Sequence, residues 1–366
     1  MFDQLFEPVV IGGQTVPNRL VLPPLTRSRA QDDGVPTDLM AEYYGQRAGA
    51  GLVICEGTVV SPQGASYPRV PGLYAEKQVD GWRPVVAAAG SRGAAVYAQL
   101  WHVGRQGHSS RQPDGLPPWA PSAVPITGWQ TRGPEGKIPF EVPRPLTEEG
   151  IAAIVSEFAV AARNAAAAGF DGVELHAANG YLLDQFFNSS SNLRADRYGG
   201  SVQNRLRLLH EIIDAVSEFV PANRIGVRIS PSSTWMDVHD ADKRGLYSAL
   251  VRGINDWGLA YLHLVEPGIA GGVDANPGDE FIESAELGRL FSGPVIVTGG
   301  HTPATACAAV AAGSADLVGF GRLFIANPDL PHRIRTGAEL VGHRRDGLYG
   351  GGPEGYTDYP ELQVST

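Results

Sequence analysis

Short runs of β-branched and aliphatic residues alternate along the chain with polar loops and with alanine-rich stretches whose apolar positions recur at helical spacing. The short runs are Arg19–Leu22, Leu52–Cys55, Ala95–Gln99, Val173–Leu175, Ile225–Ile229, Leu262–Val265, Val295–Val297 and Leu317–Gly319. The clearest helix is Glu148–Ala168: Thr147 can cap it, Glu148 and Glu149 sit at the positive end of its dipole, and Gly169 ends it. Ile151, Ile154, Val155, Phe158 and Ala162 make its apolar stripe. Strands alternating with helices predict a parallel sheet. Eight such units predict an α/β protein of the closed (β/α)8 TIM barrel type rather than an open doubly wound sheet.

Three stretches fall outside this rhythm. Residues 1–17 read as a hairpin with a Gly-Gly turn, expected to cap one end of the barrel. Residues 101–145, rich in Pro, Gly and Trp, read as an elaborated loop after the third strand with a small hairpin of its own. The tail 347–360, GLYGGGPEGYTDYP, reads as another aromatic-bearing loop. No second domain is apparent, so residues 1–366 are expected to form one unit.

Composition narrows the function. The formal charge is -10, and there are no basic runs, which disfavours nucleic acid and anionic membranes as partners. Any bound phosphate must then rest on local arginines and backbone amides. Two cysteines, Cys55 and Cys307, exclude a disulfide framework and are expected to be buried thiols. With no basic-then-apolar leader and no membrane-length apolar run, a soluble cytoplasmic protein is expected.

Barrel enzymes carry their chemistry at the C-terminal ends of the strands. Here those places hold Thr26, Glu56-Gly57, Gln99, His176, Arg228, Glu266, Gly299-Gly300 and Gly321-Arg322. Glycine pairs and a guanidinium after the last two strands are a phosphate site in the usual place for this fold. In VELHAANGYLLDQF, His176, Asn179 and Tyr181 follow the fourth strand within six positions. Imidazole and carboxamide can both donate to one oxygen, and a phenol can deliver a proton.

The motifs NRLVLPPLTRSRA, EGTVVSPQGASYPRVPGLY, AQLWHVGRQGH, AGFDGVELHAANGYLLDQFFN, RADRYGGSVQNR, GVRISP, YLHLVEP and GFGRLFIANPDLP occur in one order. In them the chain resembles the old yellow enzyme family, and its tail is similar to that of the bacterial nitro-ester and enone reductases within it. The resemblance implies non-covalent FMN with NADPH or NADH as reductant. It puts the phosphate on Gly299, Gly300, Gly321 and Arg322, and Gln99 and Arg228 at the pyrimidine edge. Pro24, Leu25 and Thr26 would lie along the isoalloxazine, and Gly57 would let the backbone approach it. His176 and Asn179 would grip the activating oxygen of an alkene or nitro compound, and Tyr181 would protonate the α-carbon. Tyr67, Trp101 and Tyr356 are expected as substrate-pocket walls. The protein would act as a monomer or homodimer.

Three rivals have different signatures. A Schiff-base aldolase needs a strand-end lysine, and Lys77, Lys137 and Lys243 all fall in loops or helix starts. A metal-dependent hydrolase would have to assemble Glu56, His102, His176 and Glu266. A flavin-binding protein without turnover would keep the phosphate site alone. Arg228, if structural, would pair with Glu56 or Glu266.

Overall fold

Eight parallel strands close into a ring: Leu20–Leu22, Leu52–Val59, Ala95–Trp101, Gly172–Ala177, Ile225–Ile229, Tyr261–Val265, Val295–Thr298 and Leu317–Gly319. Each pairs with the next, and the eighth pairs with the first. The computed structural model describes residues 2–133, 136–270, 273–274 and 281–362.

The helix Glu148–Ala168 forms as its caps dictate. Thr147 Oγ1 accepts from the Gly150 amide at 3.1 Å, and Gly169 takes φ +94 to end the helix. Ile151, Ile154, Phe158, Ala161, Ala162 and Ala165 are buried on its inner face. By length and composition this helix could cross a membrane, yet that face packs on the helices Glu76–Ala89 and Val202–Ser217.

Inside the ring, Val21, Leu52, Ile54, Tyr97, Tyr261, Ile296 and Leu317 build an apolar floor. The hairpin Val9–Ile11/Gln14–Val16 plugs it from below through Ile11 and Val16, as the sequence predicted. Full burial of each such side chain contributes about 1.5–3 kcal/mol. One pleat above the floor the inward residues turn polar: Gln99, Glu174, Arg228, His263 and Thr298. Strand register sets Glu174 opposite Gln99, and Arg228 opposite both His176 and His263.

Strand ends differ from the sequence expectation. The second strand continues to Val59 through an irregularity between Cys55 and Thr58, and the third continues to Trp101. Their added residues include Glu56, Thr58, Leu100 and Trp101, which are buried in the wall instead of looping out. The long loop after the third strand holds the expected hairpin, Gln130–Gly133 with Gly136–Pro139. Cys55 is buried, but Cys307, on the outer helix Pro303–Ala311, is only half-buried, with Sγ 3.7 Å from Gln4 Oε1.

Candidate active site

The turn after the fourth strand is held from every side. Asn179 adopts φ +58, a left-handed conformation that Asn tolerates better than most side chains. Its amide donates to Ser230 Oγ at 2.8 Å, and its carbonyl accepts from Gln106 Nε2 at 2.8 Å. The Gly180 amide donates to Asp184 Oδ2 at 2.8 Å, and its carbonyl accepts from Gln185 Nε2 at 2.7 Å. Four partners from three parts of the chain thus fix the direction of the Asn179 carboxamide. Asp184 does this from a buried site that pushes its carboxyl up to about 6.

His176, Tyr181, Trp101 and Tyr67 surround one space. The Tyr181 ring lies edge-on to His176 and to Trp101, both at 4.9 Å, and Tyr67 stacks on Trp101 at 5.7 Å. Burial first, then Arg228 and His263, hold the His176 imidazole well below its ordinary proton affinity, so it is neutral at pH 7. A neutral ring donates one N–H without carrying a transferable acid proton. Burial, together with Tyr67, pushes the Tyr181 phenol well above 10, so that proton stays on Tyr181.

Four buried atoms around this space, His176 Nδ1, Asn179 Oδ1, Trp101 Nε1 and Arg228 Nε, have no hydrogen-bond partner among the described residues. Buried polar groups are hydrogen-bonded as a rule, so a cluster of orphans fits a polar ligand. The Arg228 guanidinium opposes its own burial chiefly through Glu174, not through Glu56 or Glu266. Glu56 instead accepts from the Arg27 amide at 3.0 Å and lies 3.4 Å from the Tyr44 hydroxyl. Glu266 accepts from Ser284 and contacts His301. The four residues imagined for a metal hydrolase are therefore dispersed, with His102 Nδ1 taken by the Gly104 amide.

At the seventh and eighth strands, which pair with each other, the loops lie side by side. Gly299 has φ +152 and Gly300 φ +72, and a Cβ at Gly300 would meet nothing within 4 Å. Gly321 packs toward Leu25, where a Cβ would come 3.3 Å from its Cδ2. Pro24 is buried, while Leu25 and Thr26 keep partial exposure. Arg322 grips the Asp274 carboxylate with both Nη atoms at 2.6 and 3.1 Å, a fork that suits any oxyanion. Asp274 occupies the end-on face of the Arg322 guanidinium, so a phosphate there would share or exchange that partner, a contact the sequence did not reveal.

One expectation is corrected. Tyr356 is fully buried and stacks on Tyr43 at 4.1 Å under the Arg27 and Arg29 guanidinium groups, so it walls no pocket. The tail tyrosine near enough to raise the proton affinity of both Tyr67 and Tyr181 is Tyr349, which is 62% exposed. Arg27 and Arg29 set its position by donating to the carbonyls of Gly347, Leu348, Gly352, Glu354 and Gly355. Gly57, for its part, leaves room for the Trp101 indole, which a Cβ would meet at 2.7 Å.

Neutral donors, a buried guanidinium and glycine loops at the C-terminal rim of a closed parallel barrel fit a flavin-dependent oxidoreductase. Residues 4–340 match the NADH:flavin oxidoreductase / NADH oxidase family, and the chain belongs to it. Putative 12-oxophytodienoate reductase 2 of Oryza sativa subsp. japonica is 42% identical over 98% of this chain and 94% of its own. Flavin oxidoreductase hxnT of Emericella nidulans is 40% identical over 99% and 98%. Morphinone reductase in complex with tetrahydroNAD superposes with a TM-score of 0.92 at 40% identity, covering 98% of both chains. The old yellow enzyme homologue from Zymomonas mobilis gives 0.92 at 40% over 98% and 100%. The protein is an NAD(P)H-dependent flavin oxidoreductase with FMN as its cofactor.

Proposed function

We propose that the protein reduces electrophilic alkenes such as enones, nitroalkenes and maleimides, and also nitro or nitrate-ester compounds, with His176 and Asn179 binding the activating oxygen. The observation that carries this reading is a buried, neutral His176, whose Nδ1 has no partner among the described residues, set beside the clamped Asn179 turn and a phenol that keeps its proton.

FMN, when bound, would supply the hydride chemistry that links a nicotinamide donor to the β-carbon of the alkene. Negative charge then gathers on the substrate oxygen. The neutral His176 N–H and the Asn179 amide donate to it, each worth ~3 kcal/mol when the donor is fixed in advance. The fixing is done by Ser230, Gln106, Asp184 and Gln185, which leave the Asn179 turn no freedom to relax. Tyr181 protonates the α-carbon, worth about 10²–10⁴ in rate.

Gln99 and Arg228 would hold the pyrimidine edge, and a cation there favours the reduced flavin. Leu25, Thr26 and Pro24 would flank the ring. Gly299, Gly300, Gly321 and Arg322 would take the phosphate, Arg322 sharing it with Asp274 or exchanging Asp274 for it. Tyr67, Trp101 and Tyr349 would bound the substrate. One barrel unit carries the whole reaction, in the cytoplasm.

The test is an anaerobic titration. Purified protein is yellow, bleaches with NADH or NADPH, and regains its colour when an enone, nitroalkene or nitrate ester is added. A protein that bleaches but is reoxidised by none of these would be a flavin carrier without this activity.

A further inference from the structure

We propose that Glu174, His263 and Thr298 form a buried positioning relay that fixes the Gln99 amide and, with Arg228, sets the reduction potential of the bound flavin. The inference rests on the flavin reading above and extends it to residues that touch neither substrate nor solvent.

The relay is continuous. Gln99 Nε2 donates to Glu174 Oε1 at 2.7 Å. Glu174 Oε2 meets His263 Nδ1 at 2.7 Å, and His263 Nε2 meets Thr298 Oγ1 at 2.7 Å. The Glu174 and His263 side chains have no exposure at all. Its polarity follows from what each group can do. An ionised carboxylate only accepts, so the Nδ1 proton of His263 points to it. Burial, against the pull of Glu174, lowers the proton affinity of His263 and keeps the ring neutral. Nε2 must then accept, and the Thr298 hydroxyl donates. Room for that hydroxyl depends on Gly319, where a Cβ would fall on Thr298 Oγ1.

Two consequences reach the cofactor position. One Nε2 hydrogen bonded to Glu174 fixes how the Gln99 amide is turned, and its carbonyl Oε1 is then an acceptor to offer a ligand, suited to the N3–H of a flavin. Glu174 also supplies the largest favourable charge interaction that Arg228 receives, without taking its Nε proton. The buried negative charge therefore offsets part of the Arg228 field that stabilises the anionic reduced ring. The strand register makes this compact, since Glu174 is level with Gln99, and Arg228 with His263.

The experiment measures the midpoint potential of FMN-loaded protein by dye equilibration, with the N3–H resonance of bound 15N-labelled FMN as a second readout. In Glu174→Gln the reduced-to-oxidised ratio at fixed poise rises about tenfold or more, which is ~30 mV for a two-electron couple, and the N3–H resonance moves. His263→Asn shifts the potential alone but adds nothing in the Glu174→Gln background, as coupled neighbours do. Thr298→Val, nearly isosteric, supplies a further arm by shifting the potential more than twofold in the same ratio. A ratio changed less than twofold in Glu174→Gln and Thr298→Val, with FMN bound and the N3–H resonance in place, overturns the relay. Failure of the parent protein to bind FMN would instead sink the flavin reading beneath it.

Discussion

The backbone amide of Asn179 donates to the Ser230 hydroxyl at 2.8 Å, tying the turn after the fourth barrel strand to the end of the fifth. This single bond joins the residue that would bind substrate oxygen to the strand that carries Arg228, and it secures a left-handed backbone at φ +58.

Removing that tie should loosen the donor. Ser230→Ala leaves a buried amide unpaired at a cost of about 1–3 kcal/mol. Phenol binding, followed by perturbation of the flavin absorption band, should weaken roughly tenfold while FMN stays bound. Unchanged phenol affinity would mean that the turn is held without Ser230.

Tyr181→Phe should separate two chemistries. Alkene reduction requires a proton at carbon and should fall ~10²-fold or more. Nitro-group and nitrate-ester reduction needs no such carbon protonation and should change far less. Steady-state rates on an enone and a nitrate ester decide it, and equal losses would count against the proton-donor role.

The two tail tyrosines should behave oppositely. Tyr349→Ala, at an exposed position beside Tyr67 and Tyr181, should raise KM for bulky enones several-fold with kcat little changed. Tyr356→Phe should leave both constants as they are, because its ring is sealed against Tyr43. Kinetics of the pair on a small and a bulky enone test the reassignment.

Glu56 predicts a pH dependence of stability. Burial pushes its carboxyl from 4.5 up to about 7. The folded state then binds more protons than the unfolded one, so this group's contribution is fully present below pH 4.5 and is lost as pH rises through about 7. At 1.36 kcal/mol per pH unit the loss is roughly 3 kcal/mol. Urea denaturation at pH 5 and pH 8 should show Glu56→Gln losing less stability than the parent over that interval. An identical loss in both would remove Glu56 as its source.

The barrel was legible because each strand is an apolar run bounded by glycine or polar residues, and because Thr147 and Gly169 punctuate the long helix. The end of the second strand was not, since Glu56 and Thr58 are polar yet buried in the wall. His176, Asn179 and Tyr181 were visible as a cluster, whereas the left-handed backbone at Asn179 is seen only in the structure. Tyr349 was hidden behind Tyr356 because the choice between them is made by Arg27 and Arg29, which bond to tail carbonyls more than 300 residues away. Glu174 and His263 did leave a trace: each stands between apolar neighbours in the middle of a strand, in GVELHA and YLHLV. A buried charge there has to be answered from a neighbouring strand, but which strand answers is fixed only by closure of the ring.

The most direct test of the oxygen-binding pair isolates the oxidative half-reaction. Parent protein and a His176→Ala/Asn179→Ala variant, both reduced with dithionite to bypass the nicotinamide, are mixed with an enone in a stopped-flow instrument. The account predicts that the variant's flavin reoxidises at least a hundredfold more slowly than the parent's. Equal rates would contradict it.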